Sequence, residues 1–237
     1  MDADAMLWFS APTATDQRRQ TLTQQRVVSE ALTLIAEEGV PALTMRTLAT
    51  RLGVVPGALY RHVPNKERLQ DLILDGVLAE VDCDIDRTLP WTEQITTLAH
   101  RLRTVLADHP GVAALLTTRD PIGPHSLALA EAFLRPLHAA QFPHRQAGHA
   151  FFLIVGYVLG FEVGNTRTSA NQQRVQDPNT RRKLHQFFRS LPTDRFPTLV
   201  ALGHHVWLDN RDERFTAGLN VLVDGLTQRT TPRPPRS

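Results

Sequence analysis

The chain has 237 residues, 42% of them hydrophobic, and 26 Lys and Arg against 24 Asp and Glu, for a formal net charge of +2. That length holds one large domain or two smaller ones and easily buries a core, while the longest apolar run, residues 150–161, is too short to span a membrane. The lone Cys83 excludes an internal disulfide and a cysteine zinc cluster, and the acidic start lacks the basic region of a secretion signal, so a cytoplasmic protein without a membrane partner is expected.

Residues 1–20 read as a polar extension whose apolar anchors are Leu7, Trp8 and Phe9. A helix is predicted from about Thr23 to Glu38, with Val27, Val28, Ala31, Leu34 and Ile35 as its core stripe and Gly39 as its stop. Thr44 suits an N-cap, and Met45, Leu48, Ala49 and Leu52 follow at helical spacing. Gly53 ends that helix, because only glycine takes positive φ without steric cost. Pro56 opens a very short third helix that runs to about Arg61, and Pro64 biases Val63 away from helix. Leu59 faces inward, which leaves Gly57, Ala58, Tyr60 and Arg61 turned outward. Asn65 then caps a helix predicted over 66–81, with Lys66 in its first turn. A cation there opposes the helix dipole, so a phosphate partner explains it better than helix stability does.

Downstream, the pattern predicts an acidic loop over 82–90 and a helix over 92–107 broken by Asp108-His-Pro-Gly111. Short helices follow near 112–117 and 125–140, the latter bent or ended by Pro136. Pro143 introduces a helix from His144 to about Val163. A polar stretch over 164–193 carries one helix around 181–189, and helices over 198–208 and 212–228 precede a proline-rich tail that cannot fold. There is no strand pattern and no repeat, so the fold class is all-α. The expected organisation is an extension (1–20), a unit of short hinged helices (21–68), a larger helical domain (69–229) and a disordered tail (230–237).

Two short helices hinged at Gly53, with an aromatic and basic exit from the second, are how a chain presents a small probe to the major groove. Charge agrees: residues 18–68 hold eight Lys and Arg against four acids, whereas 69–237 balance at 18 against 17. Arginine makes up 24 of the 26 bases, so phosphate contacts would be mostly planar and fork-shaped.

The run Leu59-Tyr60-x-His62-Val63-x-Asn65-Lys66, with Ala31-Leu32, Gly39, Leu43-Thr44, Arg46, Leu48-Ala49 and Leu52-Gly53-Val54 before it, resembles the DNA-binding domain of the tetracycline-repressor (TetR) family of bacterial transcription regulators. The match runs without gaps from Arg26 to about Leu74. A weaker resemblance continues through Thr118-Arg119, Val155-Gly156-Tyr157, Phe215-Thr-Ala-Gly218-Leu219 and Gly225-Leu226, and looks like the C-terminal domain of the tetracycline repressor's own branch. The resemblance implies a homodimeric repressor that binds a palindromic operator in double-stranded DNA and releases it on binding a small-molecule effector, through a pivot of the fourth helix.

From side-chain chemistry and this resemblance together, Arg46 and Arg61 are candidates for guanine or nearby phosphate contacts, and Thr44, Tyr60, His62 and Lys66 for phosphates. Pro56, Gly57 and Ala58 would make close or apolar contacts to bases. Position 61 is aromatic in the tetracycline repressor and 55–58 differ throughout, so a different operator is implied. Gly156, Gly160 and Gly164 recur every four residues in an apolar helix, where each glycine costs about 1 kcal/mol against alanine. Close approach of a partner helix is the expected reason, with Phe215, Gly218, Leu219, Leu222 and Leu226 of the last helix completing a four-helix interface. The alternative is that the glycines pack only within one subunit.

The ligand site departs from the family's namesake. Anchored on Thr118-Arg119, the position of the magnesium-binding histidine falls on Leu115, and the preceding pocket positions fall on Leu98 and Leu102. Glu162 lies off the place of the acidic magnesium partner. The implied pocket is apolar, lined by Leu98, Leu102, Leu115, Phe133, Phe152 and Phe161, for an apolar or amphipathic effector; the same residues also read as plain core. No metal is expected, since His204-His205 and the pair His144 and His149 lack chelating spacing, and no cofactor is expected. Motifs of hydrolases, P-loop enzymes and dinucleotide enzymes are absent, so an enzyme is not expected. A ligand-independent DNA-binding or architectural protein on the same fold remains the alternative.

Overall fold

The computed structural model describes residues 22–119, 122–166, 177–208 and 210–230, and among them every regular element is helical. The leader and the proline-rich tail lie outside the described residues, as do 167–176 of the polar stretch.

The first unit is α1 (Gln24–Glu38), α2 (Met45–Leu52) and α3 (Pro56–Tyr60). Its boundaries are those the side chains dictate. Thr23 Oγ1 accepts from Arg26 N–H at 3.2 Å at the start of α1, and Gly39 leaves it at φ 83°. Thr44 Oγ1 accepts from Thr47 N–H at 3.0 Å at the start of α2, and Gly53 closes it in the left-handed region at φ 68°. Val27, Ala31, Leu34, Leu43, Leu48, Leu59 and Val63 meet at 0% exposure, so three helices too short to stand alone share one core. A second tie is ionic. Arg51 of α2 reaches Glu30 and Glu37 at 2.6 Å each and Glu38 at 3.1 Å, all on α1.

Next, α4 (Lys66–Leu78) begins at Asn65, whose Oδ1 accepts from Arg68 N–H at 2.7 Å. It ends at Leu78 rather than residue 81, in a turn where Glu80 and Val81 amides bond the carbonyls of Val77 and Leu78. Leu69, Ile73, Leu74 and Val77 are fully buried, which makes α4 a strut shared by the first unit and the body.

The body comprises α5 (Trp91–Asp108), α6 (Val112–Leu116), α7 (Pro124–Ala139), α8 (His144–Thr166), α9 (Pro178–Arg189), α10 (Pro197–Leu208) and α11 (Arg211–Thr230). The helix α5 is central, packing against α4, α7, α8 and α11. The acidic loop before it is tied down, for Arg101 Nη1 donates to the carbonyls of Asp82 and Asp84 and pairs with the Asp82 carboxylate. Pro136 sits buried inside the last turn of α7, which ends three residues later. Over 144–164, α8 reaches a mean hydropathy of 1.5, enough for a membrane span by length and composition alone, yet it packs against α5, α6, α7 and α11.

Candidate nucleic-acid interface

The hinge at Gly53 sets α3 against α2 so that only Leu59 of α3 is buried. Pro56, Gly57, Tyr60 and Arg61 are exposed, with Thr44 and Arg46 exposed at the start of α2. Ala58, His62 and Lys66 are half-buried at the margin. Tyr60 remains 49% exposed, a large surface for an aromatic ring in a chain with few. Gly57 looks onto open space: a Cβ there would meet nothing within 4 Å. Packing inside the chain therefore gives no reason for a glycine at 57. Thr44 uses its hydroxyl twice, capping α2 and lying 2.8 Å from Thr47 Oγ1. Gln24 Nε2 donates to the His62 carbonyl at 3.4 Å, tying the start of α1 to the exit of α3.

Val55, at the N-cap of α3 and 71% exposed, is a candidate that the sequence reading passed over. Its signal was an apolar residue beside Pro56 that no helical stripe requires. The structure also sharpens the charge argument. Glu30, Glu37 and Glu38 surround Arg51, which leaves Arg26, Arg46, Arg61, Lys66 and Arg68 against Glu67 alone over the rest of residues 22–68. Both of the first two glutamates, Glu30 before Glu37, hold the Arg51 guanidinium above its ordinary range.

The six expected pocket residues divide. Leu98, Leu102, Leu115 and Phe133 are buried to 2% exposure or less in the continuous core of α5, α6 and α7. Phe161 turns toward α5 and α11, with its ring 6.0 Å from Tyr157 and 5.2 Å from Phe215. Phe152 does not line an interior site, for it is 70% exposed. The inner face of α8 is Ala147, Ala150, Ile154 and Val158, and residue 152 lies on the opposite side at 100° per residue. A groove of about 470 Å³ does open between the end of α4 and α5, lined by Glu80, Asp82, Thr96, Thr97, His100, Arg101, Thr104 and Val105. None of the six lies on it, and its walls are built from the aliphatic and ring carbons of polar residues with Val105.

The expected interface residues divide as well. Gly156, Gly160 and Gly164 are exposed and a Cβ on any of them would meet nothing within the chain. On α11, by contrast, Phe215 and Leu219 are at 0% exposure, and a Cβ at 218 would stand 2.2 Å from the Tyr157 hydroxyl. Those three serve packing inside the chain, because α11 spends its strongest apolar stripe on α5 and α8. Leu222 and Leu226 are half-buried, and among the described residues of α11 the large apolar side chain left outside is Val221, 70% exposed.

A buried polar cluster escaped the sequence reading entirely. Glu162 of α8, 2% exposed, accepts from Arg103 of α5 at 3.1 Å and from Arg211 of α11 at 3.0 Å, and Arg103 also pairs with Asp212. Both guanidiniums lie over aromatic faces, Arg103 4.5 Å from the Phe215 ring and Arg211 4.8 Å from Phe161. Burial, then Arg103, pushes the His100 imidazole below its ordinary range beside them. Among the described residues no group of three or more His, Cys, Asp or Glu could hold a metal ion.

Comparison with known proteins agrees with this architecture. Residues 27–71 match the model of the bacterial regulatory proteins of the tetR family, and residues 87–230 match the tetracyclin repressor-like C-terminal domain. A helix-turn-helix-type transcriptional regulator of Saccharopolyspora erythraea is 34% identical over 94% of this chain and 92% of its own length. The transcriptional repressor DrrR1 of Streptomyces coeruleorubidus is 27% identical over 93% of this chain and 83% of its own. Among solved structures, the TetR family protein ActR of Streptomyces coelicolor in complex with actinorhodin superposes with a TM-score of 0.76 at 30% identity, covering 89% of this chain and 99% of that one.

Proposed function

The chain belongs to the tetR family of bacterial regulatory proteins, a helix-turn-helix transcriptional regulator by family, and on that footing we propose that it is a cytoplasmic repressor that binds a palindromic operator as a homodimer and releases it on binding an apolar or amphipathic small molecule. The observation that carries the reading is the exposed tip of α3. A five-residue helix that buries one side chain contributes little to the core, yet it projects Tyr60 and Arg61 beside an open Gly57.

In this reading Arg46 and Arg61 hydrogen-bond guanine edges or adjacent phosphates, and Thr44, Tyr60, His62 and Lys66 set register on the backbone. Pro56, Gly57 and Ala58, with Val55 added, lie against bases and thymine methyls. One such tip reads few base pairs, so two tips on a common body are needed to select an inverted repeat. The outward face of α8 supports the body: only 28% of its most apolar window is buried within the chain, and its three open glycines leave room for a second helix. Phe152, Leu153 and Val221 extend that face, and Leu222 and Leu226 border it. DrrR1 is named a repressor and ActR is seen with actinorhodin, which supports repression and effector binding here.

Fluorescence anisotropy with the DNA upstream of its own gene, and with sites selected from a random library, tests the proposal. Tight binding that survives unrelated competitor DNA is the expected result. Binding lost equally to any DNA as salt rises would leave only a non-specific binder and overturn it.

A further inference from the structure

The helix α7 has only half a cap of its own: the Gly123 N–H donates to Ser126 Oγ at 2.9 Å, but no local side chain accepts from the first amides. Gly123 holds the N-cap position and has no side chain to do so. The acceptor comes from a different helix. Asp75 of α4 takes the His125 N–H at 2.9 Å and the Ser126 N–H at 3.1 Å on Oδ1, while His125 Nδ1 lies 2.9 Å from Oδ2. The fit depends on glycine at 123, where a Cβ would stand 2.2 Å from Asp75 Oδ1. Burial raises the Asp75 carboxyl, but the bonds from His125 and Ser126 outweigh it and hold it below its ordinary value. One turn earlier on the same face of α4, Asp71 holds Arg119 at 2.7 and 3.1 Å. Two carboxylates of α4 therefore grip the chain on both sides of the α6–α7 connection.

We propose that Asp75 is a shared cap that positions α4. The first turn of α7 keeps its cap only while α4 lies at this tilt, so α7 of the body sets the direction in which the DNA-binding unit points. Hydrogen bonds lose most of their strength within about 1 Å of stretch, so a small rotation of α4 costs α7 its cap and the side-chain contact to His125 together. Anything that displaces the start of α7 is felt at α4, and through it at α3. The inference rests on the reading of the chain as an operator-binding regulator, and its test separates the two.

The full-length protein carries the test in two variants. Asp75→Ala removes the cap of α7 and with it the tie to α4. Asp75→Ala with Gly123→Ser gives α7 a cap of its own, in the extended conformation that residue 123 already has, with no hydrogen bond to α4 and only the residue-75 Cβ left beside the new side chain, at 3.0 Å. Amide hydrogen exchange is expected to show lost protection at 125–126 and along α4 in the single variant. The double variant should recover protection at 125–126 but not along α4. Affinity for DNA selected from a random library by the wild-type protein should be about tenfold weaker in both variants. Exchange along α4 at the wild-type rate in the double variant, or operator affinity within twofold of wild type or tighter, overturns the proposal. If the wild-type protein selects no DNA, the regulator reading fails on its own account, and exchange along α4 still decides the shared cap.

Discussion

Arg103 and Glu162, 59 positions apart in the chain, meet at 3.1 Å with side chains 13% and 2% exposed. With Arg211 at 3.0 Å on the same carboxylate oxygen, one acid joins α5, α8 and α11. These are the central helix of the body and the two helices that lie along the proposed dimer face.

Removing one partner of such a pair leaves charge buried without compensation, a loss of about 3–5 kcal/mol. Glu162→Leu is therefore expected to be severely destabilised in urea unfolding. Replacing Glu162, Arg103 and Arg211 together with Met should recover most of that loss. A Glu162→Leu protein as stable as wild type would show that the cluster contributes nothing.

The basic residues of the first unit should separate into two classes. Arg46→Ala is expected to cost about 1–3 kcal/mol of operator binding and to relax or abolish specificity. Lys66→Gln should weaken binding to all sequences alike and reduce the salt slope by about one. Arg51→Gln, whose charge is already met by Glu30, Glu37 and Glu38, should leave the slope unchanged. Titrations at several salt concentrations distinguish them. Wild-type affinity and specificity in Arg46→Ala would remove that residue from the interface.

Two glycines offer a matched pair. At Gly218 a Cβ would collide with the Tyr157 hydroxyl, so Gly218→Ala should destabilise the fold, by about 1–3 kcal/mol for an overpacked site. At Gly160 a Cβ meets nothing in the chain, and alanine there gains about 1 kcal/mol of helix propensity. If α8 faces a partner, Gly160→Ala still weakens association, and Gly160→Leu abolishes it. Sedimentation velocity reads the outcome, and an unaltered dimer in Gly160→Leu would place the interface elsewhere.

The Asp75 carboxyl fixes a pH dependence. Its folded value is depressed below 3.8, so its contribution to stability is fully present above that pH and is lost as pH falls through the folded value. Asp75→Asn should lower stability at neutral pH and narrow its gap to wild type in acid. Denaturant midpoints from pH 7 down to pH 3 measure this, and a gap that stays constant would mean that Asp75 gains nothing from its charge.

Local rules settle local structure, and that is what the chain carried openly. Thr23, Thr44 and Asn65 cap, Gly39 and Gly53 stop, and Pro56 starts, each acting within four residues of its effect. With the periodic stripes of α1, α2 and α4, they make the all-helical fold and the exposed tip of α3 legible in the sequence. Even there the third dimension changed the account, since Arg51 counts toward the basic excess of residues 18–68 until three glutamates from α1 are seen around it.

Periodicity alone could not say which neighbour a stripe faces. Phe215, Gly218 and Leu219 lie on one stripe whether it meets its own α8 or another subunit, and only tertiary packing assigned them inward. Phe152 and Phe161 differ by nine positions on one apolar helix, yet one is exposed and the other sits among arginines. Asp75 capping α7 across 50 residues, and Glu162 joining three helices, leave no mark in sequence spacing. Such contacts depend on the angle between helices, which many side chains set together, whereas a cap or a stop depends on a single turn of backbone.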